Sequence, residues 1–351
     1  MNIEQSGILY DKVAKLIEQA RQKVTTTVNL TMVHTYYEIG RYIVEDEQQG
    51  ERRAEYGKAL LKELSKQLTE RFGKGFSVDG LERMKNFYLI YSAQKSETVL
   101  RISEAFSLSW SHYLVLMRVD NPDARRFYEI EATQQQWSVR QLARQCSSSL
   151  YERLALSRDK DEIMRLANEG QTLEKPADIL KSPFTLEFLG LDERSAYTES
   201  ELEGRIISNL QKFLLEMGKG FLFEARQKRF TFDEDSYYVD LVLYNRLLQS
   251  YVLIDLKTNK LSHQDLGQMQ MYVNYYDRYV KQPFENPTIG ILLCETANQT
   301  VVELTLPKDS NIHAAEYALY LPDKKLLQQK LQEWRNEYEG VTAIKNKMHD
   351  S

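Results

Sequence analysis

Residues 237–257 read YYVDLVLYNRLLQSYVLIDLK and contain two acids that stand out from their surroundings. The runs 237–245 and 251–257 have the length and the branched or aromatic composition of β-strands. Asp240 and Asp255 each lie among apolar neighbours within one of these runs. A carboxylate in apolar surroundings loses hydration and persists where a cation or hydrogen bonds replace the water. The pattern predicts two strands whose acids share a bound cation.

Asp255 and Lys257 are two residues apart on the second predicted strand, so their side chains leave the same face while Leu256 faces the other way. Mg²⁺ takes oxygen ligands, commonly one or two carboxylates with waters and substrate phosphate. We therefore expect Asp240 and Asp255 to bind Mg²⁺ or Mn²⁺, with the backbone carbonyl of Leu256 as a further oxygen. Lys257 is suited to position an attacking water and to offset charge in phosphodiester hydrolysis.

Flanking helices offer further candidates for the same site. Gln268 and Tyr272 are four residues apart on a predicted helix over 264–278, which brings them to one face. Upstream, Glu203 lies on a helix predicted over 199–217 and is a candidate outer ligand, with Glu201 as its rival. Each of these residues also has a plain structural interpretation, as a helix-face or solvated side chain. For Asp240, Asp255 and Lys257 the structural alternative is a buried ion pair within the sheet. Such pairs contribute little net stability, which favours the functional interpretation.

The C-terminal half has the pattern of an α/β domain. A helix crosses between the third and fourth predicted strands, which allows those two strands to pair in parallel. The four strands are FLFEARQKRFTF (221–232), YYVDLVLYN (237–245), YVLIDLK (251–257) and TIGILLC (288–294).

The N-terminal half is helical by its apolar spacing, which recurs at i, i+4 and i+8 before Gly73-Lys74-Gly75. The glycines predict a helix stop, and Ser77 is placed to cap the next helix, giving a helix-turn-helix-like arrangement. Basic residues on these helices suit phosphates but equally a solvated surface. The candidates for nucleic-acid contact are Arg83, Lys85, Arg140 and Arg144.

Composition and charge differ between the N-terminal and C-terminal parts of the chain. We expect a helical domain over 1–156, a charged linker over 157–182 that contains Pro176, and an α/β domain over 183–340. Residues 1–160 hold 24 basic and 21 acidic residues, against 22 and 30 in the remainder, so the overall net charge of -5 does not exclude a nucleic-acid partner. No apolar run is long enough for a membrane span, and a cytoplasmic protein is expected.

The order of the candidate residues resembles the core of PD-(D/E)XK nucleases, in which an acid, an acidic-x-Lys strand and a following helical Gln converge. FLLEMGKGFLFEARQ, YYVDLVLYNRLLQSYVLIDLK and GQMQMYVNYYD resemble the YhcG-type bacterial nucleases more closely. The likeness continues through GFSVDGLERMKNFY, LSWSHY and WSVRQLARQ, and so covers most of the chain. The family strand more often reads Glu-Leu-Lys, and Asp255 is shorter than that Glu by one methylene.

The resemblance implies a restriction-endonuclease-like α/β C-terminal domain with nuclease chemistry. The expected function is metal-dependent hydrolysis of phosphodiester bonds, with DNA favoured over RNA. The N-terminal helices are expected to bind nucleic acid, a protein partner or a second copy of the chain. The competing hypothesis is a non-catalytic nucleic-acid-binding or assembly protein that retains a nuclease-like scaffold.

Overall fold

The computed structural model describes residues 27–47, 54–92, 106–158, 160–191, 197–232, 235–297, 299–307 and 309–333. The first 26 residues and residues 334–340, which belong to the two predicted domains, lie outside this range. The chain divides into two compact units between Ala143 and Arg144.

Helices form the N-terminal unit, as predicted. Gly73, at φ +82°, ends the second helix, and its N–H donates to Thr69 O at 3.0 Å. Ser77 Oγ accepts from Gly80 N at 3.2 Å and begins the third helix, so the predicted stop and cap are confirmed. The helices are α1 (27–47), α2 (Ala54–Phe72), α3 (Val78–Ser92), α4 (Trp110–Leu116) and α5 (Pro122–Gln134). A further helix, α6 (Val139–Ser147), contains the boundary between the two units.

Close contact between α1 and α3 organises the core of this unit. A Cβ on Gly40 would lie 2.1 Å from Met84 O, so only glycine allows the two helices to approach this far. Phe87 then packs edge-on or tilted against Tyr37, Phe106 and Tyr113, with ring centroids 5.0–6.0 Å apart. This cluster of buried aromatic rings holds the helices together.

The C-terminal unit is built on a six-stranded mixed sheet in the order β1-β6-β5-β4-β3-β2. β2, β3 and β4 pair antiparallel, whereas β4, β5, β6 and β1 pair in parallel. The predicted parallel pairing across the crossover helix is therefore confirmed. The strands are β1 (Phe184–Thr185), β2 (Phe221–Phe232), β3 (Asp235–Asn245), β4 (Ser250–Lys257), β5 (Ile289–Cys294) and β6 (Ile312–Ala318).

Helices cover both faces of the sheet and bury two separate apolar layers. Leu256 packs in the first layer with the helices that precede β2, whereas Leu253 packs in the second with the helix that follows β4. The alternation along β4 thus sends Leu256 and Asp255 to opposite faces, as predicted. The helices are α7 (Leu150–Leu156), α8 (Lys160–Glu169), α9 (Glu199–Ser208), α10 (Leu210–Met217), α11 (His263–Tyr275), α12 (Gln299–Thr305) and α13 (324–333), with a π-helix at Tyr276–Val280.

The segment 157–182, expected to be a linker, is folded instead. It contains α8 and a 3₁₀ helix at Pro176–Ile179, and Leu166 and Ile179 are buried. The alternation within α8 explains the error: Arg165 and Glu169 are exposed, whereas Ile163, Leu166 and Ala167 are buried, so a charged stretch is the outer face of an amphipathic helix.

Two predicted helices are each interrupted. The helix expected over 199–217 breaks at Asn209, which separates α9 from α10. The apolar spacing over 139–154 likewise predicts one helix, which breaks instead at Ser149, whose φ of +52° is incompatible with a continuous α-helix. Among the described residues, no helix is both long and apolar enough to cross a membrane.

Candidate active site

Asp240 and Asp255 lie on neighbouring strands at the end of their ladder. The antiparallel pairing of β3 with β4 extends as far as Leu241 opposite Ile254. Beyond that pair, Asp240 Oδ2 accepts a hydrogen bond from Leu256 N at 2.8 Å. The side-chain oxygen of Asp240 thus accepts from a backbone N–H of β4, as a backbone carbonyl of a paired strand would. This hydrogen bond fixes Asp240 beside Asp255.

Asp255 is buried, with 3% of its surface exposed. Lys257 Nζ lies 2.8 Å from the buried Asp255 Oδ2, in an ion pair on the same face of β4. Burial, and next the charge of Asp240, raise the pKa of Asp255 to about 7, against the opposing influence of Lys257. Burial of the ionised Asp255 carboxylate therefore destabilises the folded state unless a further cation compensates its charge.

Three carboxylates surround the ammonium group of Lys257. Glu199 on α9 and Asp265 on α11 each have an oxygen 3.8 Å from Nζ, in addition to the closer Asp255. Burial lowers the pKa of Lys257, but the neighbouring carboxylates outweigh burial and raise the pKa above its ordinary value. Lys257 is thus a proton-bearing cation at neutral pH rather than a general base.

Glu203, and not Glu201, faces the acids. Gln227 Nε2 donates to Glu203 Oε2 at 2.7 Å and to Asp240 Oδ1 at 2.9 Å, so one amide group bridges the two carboxylates. Glu201 instead completes the capping box of α9 by accepting from Thr198 N at 2.8 Å. Glu203 is buried and also pairs with Arg226 at 3.1 Å.

Gln268 and Tyr272 contact each other on α11. Gln268 Nε2 donates to the Tyr272 hydroxyl, and Tyr272 is buried. Burial raises the pKa of Tyr272 and the Gln268 hydrogen bond lowers it, while Asp255 and Asp240 are near enough to raise it further. The phenol therefore lies in the field of the acidic pair, on the side of the site formed by α11.

Three neighbours of the site were missed by the sequence interpretation. Glu199 is four residues before Glu203, and that spacing alone predicts a shared face of α9. Asp265 is the third residue after Ser262 in a capping box, which is a recognisable motif. Gln227 left no such signal, because its reach toward Glu203 depends on a backbone φ of +44° within β2.

The acidic pair suits a divalent cation. Within the described ranges no group of three or more His, Cys, Asp or Glu side chains is arranged to hold a metal ion, and the candidate ligands are the pair Asp240 and Asp255. Two carboxylates with waters and phosphate are a sufficient set for Mg²⁺. The buried Asp255 carboxylate, which lies beside Asp240 and has the Lys257 ammonium 2.8 Å from its Oδ2, fits such a ligand.

The four basic residues considered for nucleic-acid contact differ in their surroundings. Arg83 and Arg140 are exposed. Lys85 Nζ pairs with Glu47 at 2.5 Å. Arg144 was an unsuitable candidate, because its guanidinium is enclosed by partners within the C-terminal unit: it pairs with Glu187 at 3.1 Å and Glu216 at 3.2 Å, and donates to Thr185 O at 3.2 Å.

Arg144 belongs to a buried charge cluster around Glu216. Arg153, also fully buried, approaches Glu216 Oε1 to 2.5 Å. Burial opposes ionisation of Glu216, but Arg153 and its neighbours outweigh it and hold the pKa at about 2. Arg144 therefore neutralises an internal carboxylate.

Comparison with known proteins agrees with this architecture. Residues 177–332 match the YhcG PDDEXK nuclease domain, and residues 12–153 match the DUF1016 N-terminal domain. The chain is 39% identical over 349 residues to "Putative nuclease YhcG" of Escherichia coli (strain K12), covering 92% of each protein. The chain belongs to the YhcG family, with a C-terminal PDDEXK nuclease domain and a helical N-terminal region, as the resemblance implied.

A repair endonuclease from Pyrococcus abyssi shows a weaker likeness among solved structures. It is 18% identical with a TM-score of 0.24, and the match covers 38% of this chain and 50% of that one. The chain thus spans about half the length of that protein.

Proposed function

We propose that the chain is a metal-dependent nuclease that hydrolyses phosphodiester bonds at the Asp240–Asp255–Lys257 cluster, with DNA favoured over RNA. The observation that carries the proposal is the buried Asp255 carboxylate, which has a raised pKa, a second acid beside it and a lysine at 2.8 Å. Groups with displaced pKa values and specific charged partners are characteristic of reactive sites. Membership of a family with a PDDEXK nuclease domain supports the same conclusion.

Asp240 and Asp255 would hold the cation, with Mg²⁺ or Mn²⁺ as the preferred ions. When bound, such an ion supplies Lewis acidity toward the scissile phosphate and an attacking water. Lys257 remains protonated beside Asp255, where it orients the attacking water and offsets the negative charge that develops on the phosphate. Gln227 fixes Asp240, while Gln268 and Tyr272 supply polar groups on the opposite side.

Glu203 acts at the outer edge of this site. Its Oε2 is linked to Asp240 through the Gln227 amide, so it positions that amide and holds a water near the acids. Second-layer partners of this kind orient ligands and typically change metal affinity or activity by about 10–100-fold.

The N-terminal unit is proposed to bind nucleic acid through Arg83 and Arg140, or to bind a protein partner or a second copy of the chain. Each phosphate neutralised by a side chain changes the slope of log affinity against log salt by about 0.9 for duplex DNA. Arg83→Ala and Arg140→Ala should each reduce that slope by about 1. An unchanged slope in both would favour a protein partner, with oligomeric state as the next measurement.

The substrate is tested by incubating the full chain with duplex, single-stranded and branched DNA and with structured RNA, in Mg²⁺, Mn²⁺ or EDTA. We expect cleavage of DNA with either metal and none in EDTA. Cleavage of RNA alone would overturn the preference for DNA. Tight binding without cleavage of any polymer would favour the non-catalytic scaffold instead.

A further inference from the structure

Beside the candidate active site, four aromatic rings form a ladder from the sheet to the surface. Phe230 on β2 stacks on Tyr275 with ring centroids 4.1 Å apart and planes at 16°. Tyr237 stacks on Phe230 at 5.6 Å, and Tyr279 lies 5.4 Å from Tyr275. Tyr279 is 66% exposed, so the ladder ends in a ring that can accept another flat partner.

A cavity of about 360 Å³ opens along this ladder, at the low end of the roughly 300–1000 Å³ range of ligand pockets. The π-helix Tyr276–Val280 carries Tyr279 to its rim, and single π-helical turns occur frequently at functional sites. Amide groups and a guanidinium accompany the rings, which gives the cavity hydrogen-bonding capacity. Its polar and aromatic lining consists of Phe230, Gln270, Asn274, Tyr275, Arg278 and Tyr279.

The cavity is connected to the acidic pair through α11. Tyr272, whose hydroxyl accepts from Gln268, packs edge-on against Phe230 at 5.5 Å. β2 is the edge strand of the sheet, and it carries exposed basic residues between the two sites. Lys228 and Arg229 supply positive charge to a phosphate backbone that passes along the edge, whereas Arg226 on the same strand is paired with Glu203.

We propose that this cavity binds an unpaired nucleobase of the substrate strand, stacked on Tyr279. The inference rests on the proposed nuclease function and names a substrate contact within it. A flat aromatic ring, amides able to bond a base edge and an adjacent Arg278 are the features of single-strand binding sites, where stacking tolerates every base. Gln270 Nε2 donates to Asn274 Oδ1 at 3.2 Å, so Gln270 Oε1, Asn274 Nδ2 and the Arg278 guanidinium are the groups that would meet a base edge, and an apolar peptide has no polar groups to match them.

The test uses a single-stranded DNA oligonucleotide that contains the fluorescent base 2-aminopurine. It is titrated with the full chain in EDTA, and again in Ca²⁺, a cation that also takes oxygen ligands. The variants are Tyr279→Ala, Tyr279→Phe and, as a matched control, Tyr320→Ala. Tyr320 is 53% exposed and follows β6, toward the opposite edge of the sheet from β2.

Tyr279→Ala should weaken single-strand binding about tenfold and abolish quenching of 2-aminopurine, whereas Tyr279→Phe should retain both. Tyr320→Ala should match the wild type. The affinity of Tyr279→Ala for fully paired duplex DNA should be less than twofold below that of the wild type. Equal binding and quenching by Tyr279→Ala would overturn the nucleobase site. Wild-type cleavage alongside that result would leave the nuclease proposal standing, while a wild type that neither binds nor cleaves nucleic acid would overturn both.

Discussion

The Asp240 carboxylate accepts a hydrogen bond of 2.8 Å from the N–H of Leu256, the residue that follows Asp255 in β4. A side chain of one strand thereby occupies the ladder of its neighbour, and the two acids are held next to each other. Their mutual repulsion is one of the causes of the raised pKa of Asp255. This hydrogen bond to the backbone therefore holds the two acids at their positions in the site.

Asp240→Asn should lower the pKa of Asp255 from about 7, because the substitution removes a neighbouring negative charge. The asparagine carbonyl can still accept from Leu256 N, so the strands should remain in place. Carboxyl ¹³C resonances of labelled aspartates, followed by NMR titration without metal, measure the change. A pKa that stays near 7 would show that burial alone sets it.

Asp255→Asn should stabilise the metal-free protein at pH 8 and have little effect near pH 4. The pKa of Asp255 is about 7 in the folded state and has its ordinary value of 3.8 in the unfolded state. Between these two pH values the folded state therefore binds more protons than the unfolded state. The free energy of unfolding must then fall as pH rises through that window, by about 1.4 kcal/mol for each pH unit.

Urea denaturation of both proteins in EDTA at pH 4.5 and pH 8 provides the comparison. Exposed Asp309 gives the control Asp309→Asn, which should match the wild type at both pH values. A wild type that is more stable than Asp255→Asn at pH 8 would contradict the predicted sign.

Much of the C-terminal fold could be predicted because its physical signals are local. Branched and aromatic runs identified β2 to β5, and the two-residue period of a strand correctly put Asp255 and Lys257 together. β6 escaped notice because its sequence, IHAAEYA, contains alanines and a glutamate that do not favour strands, and only pairing with β5 gives it that conformation.

The remaining features of the site depend on contacts between distant residues. Gln227 meets Glu203 and Asp240 only after β2 pairs with β3 and α9 packs beside them. Arg144 looked like a surface residue because its partners Glu187 and Glu216 are 43 and 72 residues away. Neither arrangement leaves a pattern within a short window of sequence.

Gln227→Gly should separate activity from stability. Glycine adopts the φ of +44° without the cost of order 1 kcal/mol that a larger residue incurs, so stability should remain within about 1 kcal/mol of wild type. Loss of the amide bridge should lower cleavage by about 10–100-fold. Glu224→Ala, an exposed change on the same strand, is the control. Wild-type rates in Gln227→Gly would show that the bridge has no role in the reaction.

Glu203→Gln and Glu201→Gln form a matched pair that tests the assignment of the helical acid. Glu203 is linked to Asp240 through Gln227, so its neutralisation should lower cleavage by about 10–100-fold. Glu201 serves the cap of α9, where glutamine is also accepted, so its substitution should leave both cleavage and Tm nearly unchanged. Parallel rate and melting measurements decide between them, and loss of cleavage in Glu201→Gln alone would reverse the assignment.

The central claim, that Asp255 and Lys257 belong to the active site, is tested most directly by the rate of cleavage of linear duplex DNA in Mg²⁺ and in EDTA. The proteins compared, at matched folding, are the wild type, Asp255→Asn, Lys257→Met and the control Asp309→Asn. We predict cutting by wild type and Asp309→Asn in Mg²⁺ alone, and a loss of about a thousandfold or more in the other two, because several kcal/mol of transition-state stabilisation are removed. Undiminished, metal-independent cutting by Asp255→Asn and Lys257→Met would contradict the assignment of the site.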